Sequence, residues 1–550
     1  MNILQELRAL EKWTELIPCR DGAELALIRG KTAERFEELL AAFASWGFAE
    51  QSRRKIGDVD FAILAHENHV LTCSFTPAEK KIRVFSDEAG VVPDKQGDFD
   101  KIAAPLLTQI RTGYIACDCG MSYVMRLSDG RFVIIDGNHS EYEEADHLWD
   151  VIRGQTVTEG KPVIAAWFVT HPHGDHFNVL CQFMDKYGDE VVLGDLIYNF
   201  AREDVAGTSN LAPFNRLLEE RAGQFRVVTP RAGYRFEYAD ASFDILYTCD
   251  DLYPSNPVNT NATSIVMMME YAGRRVLWLG DSQTTGSVYV AERYPAEVFK
   301  CEFLQIGHHG YGGGCEKLYR DADPEILLWP CPDYWYPVVS LWKPNGVLLV
   351  ESQNVRANFI GGQQEVTFDM TQPVEPIDPY RHVEDGETVY EENFTGNRVY
   401  DLGWNCVCGG KQIYTGARFT LNGDSLTMEN HAEKFTNCQF VQRGQMDLLD
   451  DFTLTFTGRL EEGAEHFGLY WNYPNHTVLS VHDALWLRVD GDGSFDFKLV
   501  ADSKTKTVTL TNFGETVWTA PYEKRYDSGL YFLLRNATVH FKHVKLVKGA

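Results

Sequence analysis

The run Val163-Ile164-Ala165-Ala166-Trp167-Phe168-Val169-Thr170-His171-Pro172-His173-Gly174-Asp175-His176 decides how this chain is read. Its first half is apolar without a break, which marks a strand buried on both faces. The strand ends abruptly at His171, and three histidines and an aspartate then fall within six residues. Pro172 and Gly174 bend the backbone so that neighbouring side chains can converge. A buried strand that delivers polar groups from its carboxyl end is a favoured site geometry in α/β folds. Imidazole together with carboxylate suits zinc, manganese or iron.

Two distant stretches repeat the pattern. Val276-Leu277-Trp278-Leu279 is a second apolar strand and ends at Gly280-Asp281. Phe303-Leu304-Gln305-Ile306 is a third and ends at Gly307-His308-His309-Gly310. Three apolar runs that each stop at a metal-binding side chain set this chain apart from one with a histidine-rich surface loop. Around them, residues from about 100 to 372 alternate strands and helices. The strands are expected at Tyr123–Leu127, Phe132–Ile135, Val163–Val169, Val191–Leu193, Ser264–Met269, Arg275–Leu279 and Phe303–Ile306. Helices are expected at Glu141–Arg153 and Phe177–Tyr187, which gives α/β patterning with buried strands.

On these residues the chain resembles the metallo-β-lactamase fold superfamily. The HxHxDH motif from His171 to His176 is complete, Ile134-Ile135-Asp136-Gly137 matches an early strand-end acidic motif, and Gly280-Asp281 matches the metal-bridging aspartate. Asn261-Ala262-Thr263-Ser264 and the Gly-His-His-Gly motif make the chain similar to one subgroup. That subgroup holds the nuclease-like domain of DNA-uptake competence proteins and bacterial phosphorylcholine esterases. The resemblance covers roughly half the chain and implies an αββα sandwich. It also implies two divalent metal ions, zinc above all, with manganese or iron as alternatives. His171 and His173 would hold the first, Asp175 and His176 the second, and Asp281 would bridge them. His309 would complete the second site and His308 would face the substrate, although the order within that pair stays open. The chain departs from many relatives in having no histidine from Phe177 to Leu304. The first metal therefore lacks a third imidazole; Asn199 is a candidate for the gap, and Tyr311 for the substrate pocket. Two such ions would share a water and lower its pKa towards neutrality, and the hydroxide would attack phosphorus or a carbonyl carbon. Asp175 or His308 would pass a proton to the leaving group.

Length and charge narrow the alternatives. At 550 residues the chain exceeds one hydrophobic core, and the expected division is four-part. Residues 1–98 form a small α+β unit, 99–372 the catalytic domain, 373–385 a linker rich in proline and acidic residues, and 386–550 a β-sandwich. Net charge is -28, of which residues 381–550, with 17 basic and 23 acidic side chains, carry -6 and the first 380 residues carry -22. Such acidity repels phosphate backbones, so nucleic acid is not an expected partner, whereas bound cations would still admit a small anionic substrate. No basic segment followed by an apolar run opens the sequence, and no apolar stretch approaches the ~20 residues of a membrane span. With 12 scattered cysteines, reduced thiols and a cytoplasmic location are expected. Cys117-Asp118-Cys119 and Cys406-Val407-Cys408 lack the C-x-x-C spacing of a zinc or redox site and read as structural.

The ends of the chain carry less chemistry. Near the N-terminus, helical spacing over Lys31–Trp46 precedes strand-like runs at Phe61–Ala65, Val70–Phe75 and Ile82–Phe85. From about residue 385, short alternating runs recur: Phe452–Thr457, Leu485–Val489, Phe495–Val500, Thr507–Thr511, Leu530–Leu534 and Val539–Leu546. This is the rhythm of a sandwich similar to lectin-like or laminin-G-like domains. Trp471, Tyr473 and Trp486 are candidates for stacking on carbohydrate, against the alternative of a structural module. Trp329, Tyr334, Trp335 and Tyr336 form an aromatic cluster best read as core, and Gly312-Gly313-Gly314 is either a close backbone approach or a flexible loop. Neither a phosphate-binding loop nor a dinucleotide fingerprint is present. The leading expectation is a dinuclear hydrolase of a phosphodiester or another small anionic ester. A lactone, thioester or amide hydrolase of the same fold, and a glycan-binding or scaffolding protein with a vestigial site, are the alternatives.

Overall fold

The structure is a computed structural model of the full chain. It describes all residues except 1–2, 13, 20–21, 112–119, 139–142, 202–209, 256–257, 332–341, 352–354, 356, 361–364, 375–382, 409–416, 433–434, 442–444, 447–448, 471–483, 490 and 525–528. Cys117, Cys119, Tyr334, Trp335, Tyr336, Trp471 and Tyr473 thus lie outside the described residues, as does most of the expected linker.

Two seven-stranded sheets face each other in the middle of the chain. The first runs, in spatial order, Arg226–Val228, Val192–Tyr198, Val163–Val169, Phe132–Ile135, Tyr123–Arg126, Leu106–Gln109 and Val366–Asp369. The second runs Arg235–Tyr238, Ala241–Tyr247, Val266–Tyr271, Arg274–Trp278, Phe303–Gln305, Ile326–Trp329 and Ala357–Ile360. Their inner faces share one apolar core, in which Phe168 meets Phe243, Tyr123 meets Trp278 and Phe303 meets Phe368. Helices Glu144–Gln155, Gly174–Tyr187 and Ala212–Glu220 cover the outer face of the first sheet through Leu148, Phe177, Phe183 and Phe214. Thr284–Arg293 and Glu316–Ala322 cover the second through Val290, Leu318 and Tyr319. Each sheet is therefore apolar on both faces, which is why its strands read as unbroken apolar runs rather than alternating ones.

The strands beside the histidine run are parallel. Val163–Val169 lies between Phe132–Ile135 and Val192–Tyr198, and Arg274–Trp278, Phe303–Gln305 and Ile326–Trp329 follow one another in the second sheet. Their carboxyl ends consequently open at one edge of the body. One strand is longer than expected: Val191–Leu193 is in fact Val192–Tyr198. Gly194 and Asp195 interrupt the apolar run, yet both suit a strand here. A Cβ on residue 194 would stand 2.6 Å from the Ala165 carbonyl oxygen, and Asp195 pairs with Arg226 at 2.7 Å. The expected Ser264–Met269 strand starts instead at Val266, because Asn261–Thr263 forms a short 3₁₀ turn.

At the N-terminus, a six-stranded antiparallel sheet carries helices Ile3–Leu10 and Ala33–Ser45 on one face. Thr32 caps the second helix by accepting from the Arg35 amide. The sheet packs on the body through Phe61, Ile63 and Val70, with an Arg54–Asp244 ion pair at 2.6 Å. At the C-terminus an eight-stranded and a five-stranded sheet enclose a phenylalanine-rich core. This part meets the body through Tyr400, whose hydroxyl donates to the Arg111 carbonyl at 2.9 Å, and through an Arg398–Asp150 ion pair at 2.6 Å. Cys438 stands in a disulfide there, which corrects the expectation of reduced thiols throughout. Cys73, Cys181, Cys249, Cys301 and Cys315 are free thiols. No helix among the described residues is long and apolar enough to cross a membrane.

Candidate metal centre

Each of the three apolar strands ends at the same place. Val163–Val169 stops at Thr170, and the next residues turn tightly: the His173 amide donates to the His171 carbonyl at 3.1 Å, and the His176 amide to that of His173 at 3.0 Å. His173 occupies the N-cap position of helix Gly174–Tyr187, but its ring makes no capping bond. Asp175 and His176 sit in the first helical turn, where the helix dipole favours a carboxylate. From the second sheet, Arg274–Trp278 continues through Leu279 to Gly280, which has φ +51° and lies against Thr170; a Cβ on it would stand 2.9 Å from the threonine Cβ. That close approach brings Asp281 over the histidine run. From Phe303–Gln305 the chain enters the Gly307–Gly310 turn, where His308 and His309 both adopt left-handed backbone angles. Such angles cost a non-glycine residue about 1 kcal/mol or more and cluster at functional sites.

Two overlapping ligand groups result. Asp175, His176, Asp281 and His309 offer one atom each within 4.8 Å of one another, and His171, His173 and Asp281 do the same. Asp281 belongs to both. Its Oδ1 lies 3.2 Å from His176 Nε2 and 3.3 Å from His309 Nε2, while its Oδ2 lies 3.7 Å from His171 Nε2. Asp175 Oδ2 is 3.2 Å from His309 Nε2 and 3.7 Å from His176 Nε2. Two ligands bound at ~2.1 Å in tetrahedral geometry stand about 3.4 Å apart, so these spacings suit a common cation.

Hydrogen bonds on the far side of each ring fix which nitrogen faces inward. Asp136 accepts from the Thr170 amide at 2.7 Å and the Thr170 hydroxyl at 2.8 Å, and its Oδ2 accepts from His176 Nδ1 at 2.8 Å. The hydroxyl proton being used, Thr170 Oγ1 can only accept from His171 Nδ1, 3.2 Å away. His309 Nδ1 donates to the Pro330 carbonyl at 3.0 Å. All three rings thus keep a proton on Nδ1, so that each Nε2, once deprotonated, is turned to the cluster as in metal-ligating imidazoles. His176 Nε2, His309 Nε2 and Asp281 Oδ1 are buried without a hydrogen-bond partner. Buried polar atoms are ordinarily satisfied, so this convergence of orphans fits a cation between them.

The electrostatics agree with that reading. Burial and the neighbouring His176 push His171 well below its ordinary pKa, and burial lowers His173. At His176 burial opposes charge, but Asp281, Asp136 and Asp175 outweigh it and raise the ring well above its usual value. Against the same burial, Asp281 and Asp175 raise His309 to about 10. Burial also works against the Asp281 carboxylate, yet His309 and His176 hold it well below the usual range. Positive charge is therefore gathered where a divalent cation would replace it, with protons leaving as the cation binds.

His308 stands at the rim with its side chain 21% exposed, its Nε2 3.8 Å from Asp281 Oδ2. The Tyr311 ring flanks both histidines, at 6.1 Å from His308 and 6.3 Å from His309. Asn199 is placed differently from the sequence expectation. Its amide donates to the Pro230 carbonyl at 3.0 Å and to Asp250 at 2.7 Å, and accepts from the Cys249 thiol at 3.6 Å. A buried carboxylate and a buried carbonyl claim both of its N–H groups, so it does not fill the gap in the first ligand group. Sequence reasoning assigned no site role to three residues that the structure puts at the site. Asp136 orients His176 and Thr170. Asn261 lies 3.0 Å from His308 Nε2, and Gln283 lies 3.4 Å from His308 Nδ1. The Asn-x-x-Ser motif signalled the first of this last pair; nothing local signalled Gln283.

Among solved structures, the chain is similar to the metallo-beta-lactamase fold protein YhfI from Bacillus subtilis, at 10% identity over 48% of this chain and 99% of that one, with a TM-score of 0.31. The short form of human tRNase Z is 12% identical, covers 40% of this chain and 91% of its own, and gives a TM-score of 0.23. A Bacillus subtilis protein of unknown function with a galectin-like fold is 8% identical over 30% of this chain and 97% of its own, with a TM-score of 0.21. No family model and no curated protein matches the chain.

In the C-terminal part, Trp486 packs at 5.6 Å from Phe435 and 5.1 Å from His466. The Gly312–Gly314 run is a close backbone approach: a Cβ on residue 313 would stand 2.3 Å from the Gly307 carbonyl carbon and 2.7 Å from His308 Cβ. Trp329 is core, wholly buried, and donates to the His309 carbonyl at 2.9 Å.

Proposed function

We propose that the chain is a dinuclear metal-dependent hydrolase whose two-sheet body is an αββα sandwich of the metallo-β-lactamase type. The observation that carries this reading is the pair of ligand groups sharing Asp281, with one carboxylate oxygen turned to each. His171 and His173 would hold one divalent cation, and Asp175, His176 and His309 the other. When bound, the two ions supply an acidified water and an electrophilic clamp for the substrate oxygen. Zinc suits the pair of imidazoles in each group, and manganese or iron is compatible with the carboxylates.

The chain's own residues set the rest. Asp136, Thr170 and Pro330 orient the ligand rings. His308 and Tyr311, at the rim, face the position a substrate would take. Asp175, part-exposed beside His309, is the group placed to hold a proton for the leaving group. The substrate class we assign is a phosphodiester or another small anionic ester. The acidic body, carrying most of the -28 net charge, disfavours a nucleic-acid polymer, whereas two cations would attract a small anion. The C-terminal sandwich is assigned a supporting or carbohydrate-binding part.

The test is a pair of assays at several metal loadings, one with bis(p-nitrophenyl) phosphate and one with p-nitrophenyl acetate. Turnover of the diester, abolished together with metal content in Asp281→Ala, supports the reading. Turnover of the acyl ester alone would move the substrate class to lactones, thioesters or amides. Both cations retained in Asp281→Ala would contradict the shared ligand.

A further inference from the structure

The ring of His308 is held by a chain of hydrogen bonds that begins at a backbone group and so has a fixed direction. The Ala262 amide can only donate, and it does so to Asn259 Oδ1 at 3.0 Å. Asn259 must therefore turn its Nδ2 outward, where it donates to Gln283 Oε1 at 2.6 Å. With its oxygen engaged, Gln283 presents Nε2–H to His308 Nδ1 at 3.4 Å. A ring nitrogen that accepts is bare, which leaves the proton of the neutral imidazole on Nε2. This is the opposite tautomer to that of His171, His176 and His309, whose outer nitrogens all donate.

The neighbouring amide fits the same assignment. Asn261 approaches His308 Nε2 at 3.0 Å, and its Oδ1 is buried without a partner when Nδ2 faces the ring. Turned by half a revolution, the amide offers Oδ1 to Nε2–H, as this tautomer requires. Backbone packing holds the arrangement in place: Gln283 bridges to Gly313, which lies directly against His308.

We infer that His308 is a neutral hydrogen-bond donor whose Nε2–H rests on Asn261 Oδ1 and passes to an oxygen of the substrate on the Asp281 Oδ2 side when substrate binds, and that Asn259 and Gln283 are positioning residues that set its tautomer. It is neither a metal ligand nor the proton carrier, since a neutral imidazole N–H donates a hydrogen bond without giving up its proton. The role towards substrate rests on the hydrolase reading; the tautomer does not.

The experiment uses the full chain, zinc-loaded, with nitrogen-15 labelled histidine side chains and two-bond proton–nitrogen correlation spectra. His308 is assigned by loss of its signals in His308→Gln. The expected result is a pyridine-type Nδ1 and a pyrrole-type Nε2 in the wild type, and a protonated Nδ1 in Gln283→Glu, whose carboxylate only accepts. A protonated Nδ1 in the wild type, or an unchanged spectrum in Gln283→Glu, overturns the inference. In parallel, His308→Gln keeps the wild-type zinc content, while kcat on bis(p-nitrophenyl) phosphate falls about 100-fold in His308→Ala and less in His308→Gln, which retains an N–H. Loss of one zinc in His308→Gln would make the residue a ligand and overturn the donor role. Absence of zinc and turnover in the wild type would overturn the hydrolase reading and the substrate-facing role, and the spectra would still decide the tautomer.

Discussion

Asp136 does more for the site than its place in the sequence implies. It is fully buried, sits at the end of a short strand with φ +57°, and accepts three hydrogen bonds from Thr170 and His176. Through Thr170 it also sets the ring of His171. Replacing it by asparagine keeps the shape but places an N–H where an acceptor is needed, so one of the two rings must turn. Asp136→Asn is expected to weaken cation binding by about 10- to 100-fold, read by competition with a chromogenic chelator. An affinity within twofold of wild type would show that the ring orientations do not depend on this carboxylate. The strand-end acid was visible in the sequence, but its partners lie 34 and 40 residues further on and only folding joins them. Asn199 failed as a candidate for the complementary reason: it follows a strand at the correct edge, yet Asp250 and Pro230, which claim its amide, are invisible locally.

At the level of the element, the apolar runs at Val163–Val169, Arg274–Trp278 and Phe303–Gln305 were legible because each strand is covered on both faces. Val192–Tyr198 was read short because a glycine and an aspartate interrupt it, and both are explained only by neighbours across the sheet. The turn after Phe303–Gln305 carries a prediction of its own. Gly313 packs so tightly on Gly307 and His308 that alanine cannot fit without displacing the turn. Gly313→Ala should lower kcat on bis(p-nitrophenyl) phosphate by about tenfold or more and, since the displaced turn also carries His309, weaken zinc binding with it. An unchanged kcat would mean that the position of His308 does not matter to the reaction. In the first sheet, Gly194→Val would drive a side chain into the Ala165 carbonyl, and a loss of about 1–3 kcal/mol is expected in urea unfolding.

Across the whole molecule, the sandwich rhythm of the C-terminal part and the small N-terminal unit were both readable from period-two and helical spacing. How they dock was not, because docking depends on single long side chains. Arg83 of the N-terminal sheet donates to Glu79 at 3.0 Å and to the Tyr289 hydroxyl at 2.8 Å, and Tyr289 donates back to Glu79 at 2.9 Å. Tyr289 belongs to the helix that starts at the metal centre. Burial works against the Glu79 carboxylate, but Arg83 and Lys81 outweigh it and hold its pKa down to about 2 from 4.5. Because the folded value lies below the unfolded one, the contribution is present in full above pH ~4.5 and is lost as pH falls from there towards 2. Glu79→Gln should therefore cost up to about 3 kcal/mol at neutral pH and flatten the acid limb of the stability curve. Equal stability of the two proteins at pH 7 would remove the network from the account. The claim on which the remainder depends is that segments from two sheets converge on a pair of cations. Anomalous diffraction from crystals of the zinc-loaded full chain tests it most directly. Two peaks about 3.5–4 Å apart, one on each oxygen of Asp281, are expected. A single peak, or none within reach of Asp281, would contradict it.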